Sequence, residues 1–115
     1  MSMKIYISGP ITNHGKKSVT ASFLSAEGHI KRLGHASVNP LCVEPPKDLR
    51  EKRDIWLYCM RKTIPMLMEA DAVYMLKGWK GSKGAVIERN LALSLGIPVF
   101  YKLEDLYIQY ESQFI

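Results

Sequence analysis

Short runs of β-branched and aromatic residues alternate with longer stretches of helical periodicity, and this alternation constrains the fold more than any other feature of the chain. The first run, Lys4 to Ser8, reads Lys-Ile-Tyr-Ile-Ser and is closed by Gly9 and Pro10. It predicts a buried strand ended by a turn. After a polar loop from Ile11 to Lys17, a helix is predicted from about Ser18 to Leu33. Val19, Phe23, Ala26, Ile30 and Leu33 recur there at three- and four-residue steps. Gly34 stands where a helix C-cap often lies. A second strand, His35 to Val38, ends at Asn39 and Pro40.

A Pro-rich loop, Leu41 to Arg50, leads to a second helical stretch from about Glu51 to Ala70. Trp56, Cys59, Met60, Ile64 and Leu67 mark its apolar face. Pro65 is expected to kink or interrupt that helix, since it removes a hydrogen bond and crowds the preceding turn. Asp71 to Leu76 is the third strand and Lys77 to Ser82 a loop rich in Gly and Lys. Lys83 to Leu95 is a helix closed by Gly96, and Ile97 to Tyr101 is the fourth strand. The tail holds Leu106, Tyr107, Tyr110 and Phe114 and reads either as a last helix or as an arm that packs on a partner.

Strand–helix alternation implies a three-layer α/β fold of Rossmann or flavodoxin type. Such a fold has a small parallel sheet of about four or five strands, with helices on both faces. The 115 residues read as one domain, with 47% apolar and 23% charged residues in ordinary globular balance. Ligands of such sheets sit at the carboxyl ends of the strands. The loops there, Gly9 to Lys17, Asn39 to Arg50 and Lys77 to Ser82, are the most unusual in the chain.

The segment from Gly78 to Glu88 concentrates the chemistry. Gly81, Ser82 and Gly84 at a helix start let a ligand approach free backbone amides, which with the helix dipole suit a phosphate or carboxylate. Lys77, Lys80 and Lys83 add positive charge. Glu88 is the sharper signal. Its helical neighbours Gly84, Ala85, Leu91, Ala92 and Leu95 are small or apolar. An acid on the face that should meet the sheet is costly unless something uses it.

Other candidates are weaker. Tyr6, Ser8 and Gly9 end the first strand at the pocket mouth, and Asn39 and Pro40 end the second. Asp54, Tyr58 and Arg61 on the second helix read equally well as a solvated face or as ligand contacts. Asp71 opens its strand at the far end and reads as structural. His14, His29 and His35 cluster with no acid or cysteine, so no metal site and no cofactor are expected. Cys42 and Cys59 have no metal-type spacing and read as reduced, buried thiols of a cytoplasmic protein. Met1 to Lys4 runs straight into the first strand, so no signal peptide or membrane span is expected. Sixteen basic against 11 acidic residues favour anionic partners. The basic residues are spread along the chain, so a nucleic-acid groove is not indicated.

Ile-Tyr-Ile-Ser-Gly-Pro at residues 5–10, Asn39-Pro40, and Gly-Trp-x-x-Ser-Lys-Gly-Ala-x-x-Glu at residues 78–88 together resemble the nucleoside 2-deoxyribosyltransferase-like superfamily. Within it the match is to a group of small phage and bacterial proteins. The resemblance covers nearly the whole chain and implies cleavage of an N-glycosidic bond. Glu88 would attack the anomeric carbon and expel the base, and the glycosyl–enzyme intermediate would pass to water or another base. Ser82, with the Gly81 and Gly84 amides, would hold a 5′-phosphate, and Tyr6, Ser8 and Gly9 would line the sugar side. Pro10 and Trp79 belong to the same motifs. Family members usually carry an Asp at the position of Thr63, and Asp54 or a water is expected to compensate. The alternative is a binding module that holds or sequesters a nucleotide or signal nucleotide without turnover. Family members associate, so a homodimer or higher assembly is expected, with Tyr107, Tyr110 and Phe114 as candidate contacts.

Overall fold

A computed structural model describes residues 2–11 and 15–106. The described elements, in chain order, are strand β1 (Lys4–Ser8), helix α1 (Lys16–Arg32), strand β2 (Ala36–Val38) and helix α2 (Lys52–Met68). Strand β3 (Ala72–Met75), helix α3 (Lys83–Ser94) and strand β4 (Val99–Phe100) follow. Single 3-10 turns at Pro40–Cys42 and Trp79–Gly81 precede α2 and α3. The four strands pair in the order β2-β1-β3-β4, and every pairing is parallel. This is the expected α/β fold. The expectations on the tail beyond Leu106, and on Asn13 and His14, lie outside the described residues.

Strand alternation sorts the core into two layers. Ile5, Ile7 and Ala72 point to one face and pack against Val19, Phe23, Ala26 and Ile30 of α1. Tyr6, Val73 and Met75 point to the other face, against Leu67 of α2 and Ala85 and Ala92 of α3. Because helices cover both faces, β1 reads as a continuous buried run from Ile5 to Ser8 and not as an alternating one. Phe23 is fully buried at the centre of the α1 layer. Phe23→Ala is expected to cost about 3–5 kcal/mol of stability through lost burial and the cavity left behind, measured by urea unfolding.

Three expectations need correction. The α2 helix runs unbroken through Pro65 to Met68. The carbonyl of Arg61 loses its usual donor there, on an exposed residue of the helix. The apolar face of α2 is only partly core: Leu67 is fully buried, whereas Trp56, Cys59 and Met60 are half-buried. The cysteines are not both interior. Cys42 is exposed on the 3-10 turn, Cys59 is half-buried, and the two are not bonded to each other.

The strand order reverses between β1 and β3: the chain steps from β1 to β2 on one side, then crosses back to β3 on the other. Parallel α/β sheets open a crevice at the carboxyl ends of the strands at such a point. Asp71 lies at the opposite end, where its carboxylate accepts a hydrogen bond from the Lys4 amide at 2.8 Å.

Candidate functional site

A cavity of about 450 Å³ opens at that crevice. Its floor is Tyr6 and Gly9 from β1 and the turn after it. One wall is α2, and the facing wall is the segment from Pro40 to Pro45 after β2. The start of α3 brings Ser82, Gly84, Ala85 and Glu88. The sheet edge, the second-helix face and the third-helix terminus thus converge on one space.

Glu88 is the buried carboxylate there. It is only 6% exposed, because α3 lays its small residues Ala85 and Ala92 on the sheet and carries Glu88 in with them. Burial of a carboxylate is costly unless donors meet it. Two do, one on each oxygen: Tyr6 Oη donates to Oε2 at 2.5 Å, and Ser8 Oγ donates to Oε1 at 2.7 Å. Tyr6 and Ser8 alternate with Ile5 and Ile7, so β1 presents both hydroxyls on the α3 side of the sheet. Burial pushes the Glu88 carboxyl above the ordinary carboxylate range, and the hydroxyls of Tyr6, Ser8 and Thr63 pull it partway back. Burial, and next the Glu88 charge, push the Tyr6 phenol far up, so it stays protonated and remains a donor.

The start of α3 is the second polar feature. Ser82 is its N-cap, and the Ser82 hydroxyl accepts from the Ala85 amide at 3.3 Å. The Lys83 and Gly84 amides belong to the first turn, whose N–H groups have no partner within a helix. Gly84 sits against α2: a Cβ there would lie 3.2 Å from Met60 Sδ and 3.4 Å from Trp56 Nε1. Lys83 extends its ammonium over the Trp56 ring, 4.4 Å from the centroid. Gly9 is tighter still, since a Cβ would fall 2.8 Å from Leu76 Cβ. Gly9→Ala is expected to destabilise by about 1–3 kcal/mol through overpacking, and chemical denaturation checks it.

Of the candidate site residues singled out from sequence, Glu88, Tyr6, Gly9, Pro40, Ser82, Gly84 and Thr63 meet at the cavity, and the other candidates do not line it. Ser8 is fully buried behind Glu88. Pro10 packs on the Gly78 turn, and Gly81 is exposed. Asn39 shapes a wall without forming it: Oδ1 accepts from the Leu41 amide at 2.9 Å, and Nδ2 donates to Glu27 at 3.2 Å. Trp79 faces away, stacked at 5.7 Å on Tyr101 with the Arg89 guanidinium 5.2 Å from its ring. Asp54 is exposed and Tyr58 half-buried, both off the lining, so Asp54 does not take the place of an acid at Thr63.

The α2 wall is the feature that the sequence reading missed. Lys52, Ile55, Trp56, Cys59, Met60 and Thr63 line the cavity at steps of three and four residues. Burial raises the Cys59 thiol above its ordinary value. Among the described residues no group of three His, Cys, Asp or Glu side chains could hold a metal ion. No described helix is long and apolar enough to cross a membrane.

The comparisons with known proteins agree with this architecture. No curated protein matches the chain. A 2-deoxyribosyltransferase from the psychrotolerant bacterium Bacillus psychrosaccharolyticus superposes with a TM-score of 0.65 at 17% identity, covering 90% of each chain. A conserved protein from Enterococcus faecalis V583 superposes with a TM-score of 0.58 at 18% identity, covering 86% of this chain and 62% of the other. The architecture is therefore the deoxyribosyltransferase-like Rossmann fold expected from the motifs. The family described as "Domain of unknown function (DUF4406)" matches residues 3–101, and the chain belongs to that family.

Proposed function

We propose that the protein cleaves the N-glycosidic bond of a nucleotide or deoxynucleotide, with Glu88 as nucleophile. The observation that carries this reading is a buried carboxylate at the floor of a ligand-sized cavity, held by one hydroxyl on each oxygen. A carboxylate used only for structure would be satisfied away from open space. Glu88 is one helical turn below the α3 terminus, where Ser82 and the first-turn amides suit a 5′-phosphate.

The chemistry follows from that placement. A Glu88 oxygen attacks the anomeric carbon, forming a glycosyl ester as the carbon–nitrogen bond breaks. The departing base takes the bond's electron pair. Its proton comes from solvent, since no second carboxyl group lines the cavity among the described residues. Water or another base then attacks the same carbon and releases the sugar, restoring the carboxylate. Tyr6 and Ser8 keep the carboxylate oriented, and their O–H groups favour its ionised form. The deoxyribosyltransferase named above shares the fold and is consistent with this class of reaction.

A second reading, binding without turnover, draws on Thr63. It stands beside Glu88 and Tyr6, where it contributes a hydroxyl and no acid. Chromatography of free nucleobase, after incubation with a panel of nucleotides and nucleosides, separates the two readings. Base release supports the enzyme, with nucleotides preferred over nucleosides. Tight binding without any released base supports the binding module. A homodimer or higher assembly completes the proposal, and a monomer by light scattering at micromolar concentration contradicts that part.

A further inference from the structure

The polar groups of the cavity sit at its ends. Glu88, Tyr6 and Thr63 form the floor, and Ser82 lies at the α3 start. Lys52 stands at the outer end of the α2 stripe, with no ion-pair partner among the described residues. Between these ends both walls are apolar. Ile55, Trp56, Cys59 and Met60 on α2 face Pro40, Leu41, Val43 and Pro45. Lys52 and Thr63 are eleven residues apart on one continuous helix, which places them about 16 Å apart along its axis at 1.5 Å per residue. With an anomeric carbon at Glu88, the fused rings of a purine fill only the inner part of this slot. The outer part stays apolar and open. The described lining also contains no Asn, Gln, Asp, Arg or His side chain to read the hydrogen-bonding edge of a base.

We propose that the site selects its base by stacking and shape, and that it favours purines enlarged by an apolar group on the edge away from the sugar. The flat Trp56 ring and the Pro40–Pro45 segment would hold the base between them. The added group would lie in the outer slot beside Ile55 and Val43. Phosphate suits the α3 terminus and is a poor occupant of the apolar slot. This inference rests on the nucleotide reading above.

Calorimetry on full-length Glu88→Gln tests it without turnover. AMP, IMP and N6-benzyl-AMP are the probes. N6-benzyl-AMP is expected to bind about tenfold tighter than AMP, from the added apolar surface buried. AMP and IMP, which exchange a donor for an acceptor on the base edge, should agree within about fivefold. Val43→Trp, made in the same background, should reduce the preference for the benzyl compound by filling the slot. Should that variant not fold, Ile55→Trp narrows the slot from the facing wall. Weaker binding of N6-benzyl-AMP than AMP overturns the inference. So does an AMP–IMP difference beyond fivefold, or a preference that survives the narrowing substitution.

Wild-type base release from AMP, run in parallel, separates the two claims. If AMP is cleaved but the benzyl compound is rejected, only the inference fails. If the binding preference holds without base release, only the reaction fails. If no nucleotide binds, both fall.

Discussion

Glu88→Gln is expected to lower base release by about a thousandfold or more, because the amide removes the attacking oxygen's charge. The substitution should leave the protein folded. Gln has nearly the same shape, and its carbonyl can still accept from one of the two hydroxyls that hold Glu88. Stability gives an independent signature. Burial raises the Glu88 carboxyl above the ordinary 4.5. Between 4.5 and the raised value, the folded protein binds more protons than the unfolded chain. Wild-type stability should therefore fall as pH rises through that window and then level off. Glu88→Gln should remove this slope and be more stable than wild type at neutral pH, as expected where function costs stability. Urea titrations at a series of pH values read both effects. A variant that retains wild-type turnover would end the assignment of Glu88 as nucleophile.

Tyr6→Phe and Ser8→Ala carry the second large expectation. Each removes one O–H donor from the Glu88 carboxylate. Each should lower base release at neutral pH by about tenfold to a hundredfold, less than the loss of a donor aimed at a transition-state oxyanion. The pH profile distinguishes this from general damage. Glu88 must be ionised to attack, so activity is lost as pH falls through its raised pKa. Both hydroxyls pull that pKa down, and removing either should move the acid limb upward. The rate at high pH should recover in part. A uniform loss at every pH would mean that Tyr6 and Ser8 support only the fold. Tyr6 itself should contribute no alkaline limb below the usual phenol range, since its proton is held far above it.

Much of this architecture was readable from residues, and the failures have physical causes. The strand–helix alternation predicted the order of elements because Gly, Pro or Asn punctuates the ends of the first three apolar runs. Glu88 stood out because an acid among Ala85, Leu91 and Ala92 is costly to bury unless something meets it. The α2 wall was hidden because a cavity wall and a core face carry the same period: Trp56, Cys59 and Met60 read as core, whereas they line open space. Lys52 and Thr63, the polar ends of that stripe, were the available sign that the face is not all interior. Trp79, whose position beside the Gly-rich turn suggested a ligand contact, lies off the cavity lining, with its ring beside Tyr101 and Arg89. Asn39 was marked at the right loop in the wrong role: its hydrogen bonds to Leu41 and Glu27 set the turn that carries Pro40 and Leu41 into the cavity. Long-range partners such as Ser8 with Glu88, 80 residues apart, follow only from register. A single sequence gives the alternation of β1 but not which neighbour meets which face.

The central claim is a covalent bond between Glu88 and the sugar. Mass spectrometry of the protein, acid-quenched during turnover of a nucleotide that gives up its base, tests it most directly. The account predicts a mass increase equal to the sugar phosphate less one water, confined to the peptide that contains Glu88 and absent from Glu88→Gln. Steady base release with no adduct on that peptide, at quench times shorter than one turnover, would contradict it.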